Sequence, residues 1–224
     1  MTRLPAYLLA PVALVQGRRL QRGTTRMSPA SPRSGGSRSP DAVRLLVLGD
    51  STAVGTGVEQ MADALAGRLA RRLPQSVAWR AVGDNGLTAA EVRSTQLDAA
   101  VSEPADLAVV LVGWNDALRL RPPAEFGENL AALLDGLRAR NPAAQLVLVA
   151  PPAFGGFAAF PQPLRFALGA HARGLTRVAG RVAGERGVPV VAGFDGVHVA
   201  ADRFHPDATG YAGLADGVMA HIRP

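Results

Sequence analysis

The feature that most constrains this chain is a regular alternation of short apolar runs with longer amphipathic stretches, which starts at residue 43. Runs of this length and composition are typical of strands buried on both faces of a sheet. Because each run is joined to the next through a helical stretch, the alternation predicts an α/β fold with a five-stranded parallel sheet and helices on both faces. The predicted strands are Val43–Leu48, Val77–Val82, Leu107–Val112, Gln145–Ala150 and Val188–Val191.

Helical spacing and capping signals define the segments between these strands. Thr88 followed three residues later by Glu91 has the pattern of a capping box, and Pro123 suits the first turn of a helix. The predicted helices are Thr56–Leu73, a helix from Thr88, Pro123–Arg140, Pro163–Arg186 and Asp207–Ile222.

The first 40 residues have a different composition. Residues 1–22 form an apolar and basic N-terminal segment, whose apolar run Leu4–Val15 is shorter than the roughly 20 residues needed to cross a bilayer. The segment either lies on an anionic membrane surface or packs on the domain, and a cleaved signal peptide is a third alternative. Arginines directly after the run favour a cytoplasmic protein with peripheral membrane contact through residues 1–22, with secretion as the alternative.

Residues 23–40 are rich in Ser, Pro, Gly and Arg and are predicted to be a flexible linker. Residues 41–224 then form one domain of ordinary size. The net charge of +6 belongs to the first 40 residues, which hold seven arginines and no acid, whereas the rest has 17 arginines against 18 acidic residues. The folded domain is therefore close to neutral, and a nucleic-acid partner is not expected.

Several classes of chemistry are excluded by residue types that the chain lacks. It contains no cysteine, which excludes thiolate catalysis, and no lysine, which excludes a P-loop lysine and a Schiff base. Its four histidines show no paired spacing of metal ligands. We therefore expect neither a metal nor another cofactor.

Polar residues follow several predicted strands where each strand ends. Because ligands of such sheets bind beyond the carboxyl ends of the strands, these residues are expected to converge. They include a serine, a histidine and an acid, the three groups that turn a hydroxyl into a nucleophile. The residues are Ser51, Asn85-Gly86, Asn115, Asp202 and His205.

Each of these residues also has an ordinary structural interpretation. Ser51 suits a turn or a helix cap, His205 the start of a helix, and Asn115 the bracing of a loop. In acyl transfer, Asn115 would instead donate to an oxyanion, and Gly86 would let its N–H approach a substrate oxygen.

Four blocks of the chain resemble, in the same order, those of the SGNH (GDSL-type) hydrolases. They are Gly49-Asp50-Ser51, Asn85-Gly86-Leu87-Thr88, Gly113-Trp114-Asn115-Asp116 and Asp202-Arg203-Phe204-His205-Pro206. The resemblance implies a three-layer α/β/α sandwich of the flavodoxin type. It also implies that Ser51 is the nucleophile, that His205 is the general base and acid, and that Asp202 orients His205. Asp50 would be mainly structural.

By the same resemblance, the oxyanion hole would consist of the Ser51 N–H, the Gly86 N–H and the Asn115 side chain. The reaction would be hydrolysis of a carboxylic ester, with an aliphatic or lipid-like acyl group, through an acyl-Ser51 intermediate. Carbohydrate O-acetyl esterase and thioesterase activities are alternatives, and a noncatalytic lipid- or glycan-binding domain is a hypothesis of another class. The partner would be a small-molecule or lipid ester.

Three phenylalanines after the fourth strand have two interpretations. Phe154, Phe157 and Phe160 are either ordinary core residues or the apolar wall or mobile lid of an acyl pocket, which Trp114 would also line. The sequence does not decide between these two interpretations, nor does it predict the oligomeric state.

Overall fold

The computed structural model describes Val12, Val15, Gln16 and residues 27–222. In this part of the chain, six strands form a single sheet with helices on both faces. The strands are β1 (Ser34–Gly36), β2 (Val43–Gly49), β3 (Val77–Gly83), β4 (Leu107–Leu111), β5 (Gln145–Val149) and β6 (Val190–Val191).

The helices of the described residues connect these strands and cover the sheet. They are α1 (Leu65–Arg72), α2 (Ala89–Thr95), α3 (Leu97–Val101), α4 (Trp114–Leu118), α5 (Pro123–Arg140), α6 (Leu164–Gly184) and α7 (Ala208–Met219). Two short 3-10 helices cover Met61–Asp63 and Phe154–Gly156.

The sheet has the order β1-β3-β2-β4-β5-β6, in which β2 to β6 run parallel. Among these five strands, the second lies outside the first and the others follow in sequence, which is the flavodoxin-like order. The predicted α/β sandwich is confirmed, whereas the predicted strand number is one too low. The extra strand, β1, pairs antiparallel with β3 at the sheet edge.

Strand β1 lies inside the stretch predicted to be a flexible linker, so that prediction is wrong for residues 34–36. Its sequence, Ser-Gly-Gly, has no apolar pattern, and it pairs through its backbone alone. A side chain at Gly35 would meet the Trp79 indole, with Cβ 2.8 Å from the nearest ring carbon. The missing side chain is therefore what allows β1 to pack against β3.

The N-terminal segment predicted at residues 1–22 lies outside the described residues, apart from Val12, Val15 and Gln16. The Gln16 side chain donates to the Gln162 carbonyl at 2.8 Å and accepts from the Leu164 N–H at 3.3 Å, so this one residue contacts the domain. None of the described helices is long and apolar enough to cross a membrane. Membrane contact through residues 1–22 stays a prediction.

The core has two layers because side chains of a buried strand alternate between the faces of the sheet. In β2, Leu46 and Leu48 pack under α2, α5 and α6, whereas Leu45 and Val47 pack under α1 and α7. Because the strands are buried on both faces, their sequences are continuous apolar runs and do not alternate between apolar and polar residues.

The helix predicted over Thr56–Leu73 is shorter than expected. Residues 51–58 form turns, and the α-helix begins only at Leu65. Gly55 and Gly57 have φ angles of +74° and +113°, a conformation that a helix does not contain. The capping box at Thr88 and Glu91 is confirmed: each side chain accepts a hydrogen bond from the backbone N–H of the other residue.

A matched pair of truncations tests whether β1 is part of the folded domain. A chain starting at Met27 keeps the buried Ala30, its bond to Val54 and the pairing of β1, whereas a chain starting at residue 37 loses all three. We expect the shorter chain to have a free energy of unfolding lower by about 2–4 kcal/mol in urea titrations. Equal unfolding midpoints for the two truncations would contradict this expectation.

Candidate active site

Ser51 lies in a tight turn directly after β2, at the carboxyl edge of the sheet. Gly49 allows β2 to approach β4 closely, since a Cβ there would lie 1.9 Å from the Leu111 carbonyl oxygen. The turn is closed by hydrogen bonds from the Asp50 N–H to the Leu111 carbonyl (3.2 Å) and from the Thr56 N–H to the Ser51 carbonyl (3.0 Å). The backbone of the serine is therefore fixed on both sides.

Asp202 holds the ring and the backbone of His205 at once. Its Oδ2 forms a short hydrogen bond with the His205 Nδ1, and its Oδ1 accepts from the N–H groups of Phe204 (2.9 Å) and His205 (3.1 Å). Arg203 between them has a φ of +66°, an uncommon value outside glycine, which shows how tightly the loop turns. The remaining ring nitrogen, Nε2, is left for other partners.

Burial works to raise the pKa of Asp202, but hydrogen bonds from His205 and from the Phe204 N–H outweigh it, so the pKa lies below its ordinary value. The carboxyl group is therefore ionised at neutral pH. An ionised acceptor next to Nδ1 fixes the tautomer that carries its proton on Nδ1 and stabilises a positive charge on the ring.

Two contacts bring the turn of Ser51 against the segment of His205. Gly57 lies so close to Pro206 that a Cβ would be 2.2 Å from the Pro206 carbonyl oxygen. The buried hydroxyl of Tyr211 donates to the Thr56 carbonyl at 2.8 Å. Ser51 and His205 consequently line the same cavity. Within the described residues no hydrogen bond joins their side chains; in unliganded enzymes such bonds are often long and shorten when substrate binds.

Asn115 lies in the first turn of α4, beside the loop that follows β3. Its Nδ2 donates to the Leu87 carbonyl at 3.0 Å and lies 3.4 Å from the Asp50 carboxylate. One amide hydrogen is thus firmly bound, and the second is only weakly held. Among the described residues, neither the Ser51 N–H nor the Gly86 N–H donates an intramolecular hydrogen bond.

The cavity is mainly apolar. Trp114, Phe194 and Phe204 line it together with Ser51 and His205. The other lining residues are Asp50, Thr52, Leu111, Val112, Val149, Ala150, Pro152, Pro206 and Leu214.

Phe154, Phe157 and Phe160 do not line this cavity, so the hypothesis that they form its wall is wrong and the core interpretation holds. All three are buried behind the rings that do line it. Phe154 stacks on Trp114 at 4.9 Å between ring centroids, and Phe157 and Phe160 pack edge-on against Phe194 (5.6 Å) and Phe204 (5.2 Å). They support the cavity rather than contact its contents.

Two further buried carboxyl groups lie close to the site. Burial raises the pKa of Asp50 to about 6, although the Thr52 N–H and the nearby His205 lower it. Burial also raises the pKa of Asp116 to about 6, against the hydrogen bond that Asp116 accepts from the Ala89 N–H at 3.0 Å. Both groups hold the backbone of loops around Ser51 and Gly86.

Some residues that organise the site were missed by sequence reasoning. Arg119, which donates to the Gly86 carbonyl from the end of α4, and Tyr211, which donates to the Thr56 carbonyl, carry no motif. An arginine at a helix end usually faces solvent, and a buried tyrosine is usually an ordinary core residue. Asn85 bonds with Thr56 (2.6 Å) and with the Met27 carbonyl (2.9 Å), so residues before β1 also contact the site. The glycines at 55 and 57 were the available signal that residues 51–58 fold as turns.

The order and geometry of these residues agree with a known family. The model of the GDSL-like lipase/acylhydrolase family matches residues 47–212, which include the turn of Ser51 and the loop of His205. The chain belongs to the GDSL-like lipase/acylhydrolase family. Membership of this family supports ester hydrolysis.

Individual proteins are similar to this chain in sequence or in fold. A GDSL-like esterase of Mycobacterium tuberculosis is 32% identical over 201 residues, which cover 82% of this chain; the chain spans 63% of that relative's length. The crystal structure of TesA has a TM-score of 0.66 at 25% identity, covering 81% of this chain and 98% of the other. The lipase/acylhydrolase from Enterococcus faecalis has a TM-score of 0.64 at 23% identity, covering 80% and 95%.

The variant Asp50→Asn tests the electrostatics of the family's GDS turn. The pKa of Asp50 is about 6 in the folded protein, whereas an aspartate in an unfolded chain titrates at about 3.9. Because the folded pKa is the higher one, ionisation above about pH 6 weakens the folded state, and this cost disappears as the pH falls towards about 4.

We therefore expect Asp50→Asn to be more stable than the wild type at about pH 8, by up to about 3 kcal/mol, and about equally stable at pH ~4. Urea unfolding at the two pH values measures this difference. Asp116 is present in both proteins, so its titration cancels in the comparison. A stability difference independent of pH would show that Asp50 does not titrate in this range.

Proposed function

We propose that the protein hydrolyses a carboxylic ester with a simple aliphatic acyl group through an acyl-Ser51 intermediate. The observation that carries this proposal is a single apolar cavity lined by both Ser51 and a histidine whose Nδ1 is bound by the buried Asp202. These are the groups that activate a hydroxyl, and they lie where an apolar acyl group fits.

In the first half of the reaction, the Ser51 Oγ attacks the ester carbonyl carbon while the His205 Nε2 takes its proton. The resulting tetrahedral intermediate collapses as His205 gives this proton to the leaving alcohol oxygen. In the second half, a water attacks the acyl-Ser51 ester, His205 accepts the proton of the water, and Ser51 regains it when the acid leaves. The ionised Asp202 stabilises the charged ring in both halves.

The charge on the carbonyl oxygen requires donors that are in place before the reaction. The Ser51 and Gly86 N–H groups donate no intramolecular hydrogen bond in the described part of the chain, and the second Asn115 amide hydrogen is weakly held. We assign these three groups to the oxyanion hole.

The cavity favours short acyl chains. Its volume is about 40 Å³, well below the roughly 300–1,000 Å³ of pockets that enclose drug-sized ligands. Its walls are backed by the buried rings of Phe154, Phe157 and Phe160, so it cannot widen without disturbing the core. We therefore expect the highest kcat/KM for acyl groups of about two to four carbons.

Hydrolysis of p-nitrophenyl esters from acetate to palmitate by the wild type and Ser51→Ala tests the proposal. We expect the variant to lose at least about 10³-fold in kcat, because it lacks the nucleophile. An organophosphonate ester should label the wild type at Ser51 and leave Ser51→Ala unlabelled. Ser102→Ala is the matched control, since Ser102 is exposed and, within the part of the chain that the structure describes, its hydroxyl bonds only to the Ala99 carbonyl.

The alternatives give different outcomes in this experiment. A wild type that neither cleaves any ester nor reacts with the phosphonate would overturn the proposal in favour of a noncatalytic lipid- or glycan-binding domain. Faster turnover of acetylated sugars or of acyl thioesters than of the matched oxygen esters would favour a carbohydrate O-acetyl esterase or a thioesterase. Full activity of Ser51→Ala would refute the role of Ser51.

A matched pair of variants separates the lining of the cavity from its support. Trp114→Leu removes a lining ring and should raise the preference for longer acyl chains about tenfold. Phe157→Leu changes a ring behind the wall and should lower the free energy of unfolding by about 1–3 kcal/mol without changing the acyl preference. The ratio of kcat/KM for octanoate and acetate, together with urea unfolding, measures both effects. A larger change of acyl preference in Phe157→Leu would contradict the assignment.

A further inference from the structure

Arg119 at the carboxyl end of α4 binds the backbone of the loop that contains Gly86. Its Nη2 donates to the Gly86 carbonyl at 2.7 Å, and its Nη1 lies 2.9 and 3.1 Å from the two carboxylate oxygens of Glu91. The same carboxylate accepts from the N–H (2.8 Å) and the hydroxyl (2.9 Å) of Thr88. Arg119 is thus fixed by Glu91, which closes the capping box of α2, and it in turn binds Gly86, two residues before the N-cap Thr88.

Helix α4 and the segment after it are connected to this loop at three points. Asn115 donates to the Leu87 carbonyl, Asp116 accepts from the Ala89 N–H, and Arg119 donates to the Gly86 carbonyl. The first two contacts involve buried side chains. The third is the only one that acts on the Gly86–Leu87 peptide bond.

Gly86 is the position at which such a bond is most needed. Its φ is +80°, and a glycine passes between this conformation and others at little steric cost. In the described residues, Arg119 is the only hydrogen-bond donor to the Gly86 carbonyl. The Gly86 N–H belongs to the preceding peptide and turns only when the φ of Gly86 changes. The bond from Arg119 fixes the peptide on the other side of Gly86, so without it φ and ψ of this glycine can change together and the N–H loses its direction.

We propose that Arg119 is a positioning residue that holds the Gly86 N–H towards the oxyanion, with Glu91 as its anchor. This role rests on the proposed function, in which Gly86 is an oxyanion donor. It requires the planar fork of a guanidinium, because one nitrogen must reach a carbonyl while its neighbour binds a carboxylate. A lysine can make either contact but does not reproduce both.

The side chains of Arg119 and Glu91 are 44% and 39% exposed, so their ion pair contributes little to stability. Loss of Arg119 should therefore change the reaction and leave the fold intact. A residue with a merely structural role would change both.

The test uses Arg119→Gln, Arg119→Lys and Glu91→Gln in the full chain. Glutamine at 91 keeps the capping box and removes the charge. Arg93→Gln is the matched control, since Arg93 lies on α2 and, among residues 27–222, its side chain bonds only to Asn129. The measurements are kcat and KM for p-nitrophenyl acetate, the rate of inactivation by an organophosphonate, the melting temperature and the NMR signal of the Gly86 amide.

We expect Arg119→Gln to lower kcat by about 10–100-fold, with KM changed less than about twofold, because the lost alignment acts on the oxyanion. Phosphonate inactivation should slow by the same factor, Arg119→Lys should recover part of the loss, and Glu91→Gln should show a smaller one. The melting temperature should stay within about 2 °C of the wild type. The Gly86 amide signal should shift or broaden in Arg119→Gln and remain unchanged in Arg93→Gln.

An Arg119→Gln protein with wild-type kcat would overturn the proposal, as would one whose lower kcat comes with a raised KM and a lower melting temperature. A wild type without hydrolysis or phosphonate labelling would instead refute the proposed function. In that case the NMR signal of the Gly86 amide still tests whether Arg119 positions Gly86. An unchanged signal in Arg119→Gln would overturn the positioning role.

Discussion

The close packing of the turn after β2 against the segment His205–Pro206 is the contact on which the site depends. Ser51 and His205 are 154 positions apart in the sequence, and no secondary-structure element joins them directly. Gly57 permits the close approach of the two segments because it has no side chain. The Tyr211 hydroxyl, on α7, stabilises this packing by donating to the Thr56 carbonyl. A side chain at position 57 would push the two segments apart, and the cavity between them would lose two of its walls.

The site is held by carboxyl groups whose burial opposes their ionisation. Asp202 is compensated by three hydrogen bonds from its own loop and remains ionised, whereas Asp50 and Asp116 are not fully compensated and have pKa values raised to about 6. The difference follows from position, because burial outweighs the hydrogen bonds of Asp50 and Asp116, whereas the His205 ring and two N–H groups together outweigh the burial of Asp202. The buried carboxyl groups of Asp50 and Asp116 hold these loops in place, but their ionisation lowers the free energy of unfolding at neutral pH.

The sequence predicts the strands that are buried along their whole length. It does not predict elements whose position depends on a single contact. Five strands follow from apolar runs, but β1 has no apolar residue, and a side chain at Gly35 or Gly36 would meet the Trp79 ring or the Val77 carbonyl oxygen. Ser51, Asp202 and His205 could be proposed from the sequence because the chemistry assigned to them in this proposal restricts the residue type. The sequence does not show whether the phenylalanines after β5 line the cavity or support it, since the same residue type serves both purposes.

Helix α4 is short, but its first turn positions three side chains of the site. Within its first turn, Trp114 lines the cavity while Asn115 and Asp116 bind the loop of Gly86, and the helix is only one and a half turns long. These three side chains project from the first turn of α4. The direction of this turn depends on Gly113, whose φ is +114°. The cavity and the loop of Gly86 therefore share one rigid support. A change in the direction of α4 would move both together, so the lining of the cavity and the proposed oxyanion donors keep the same relative position.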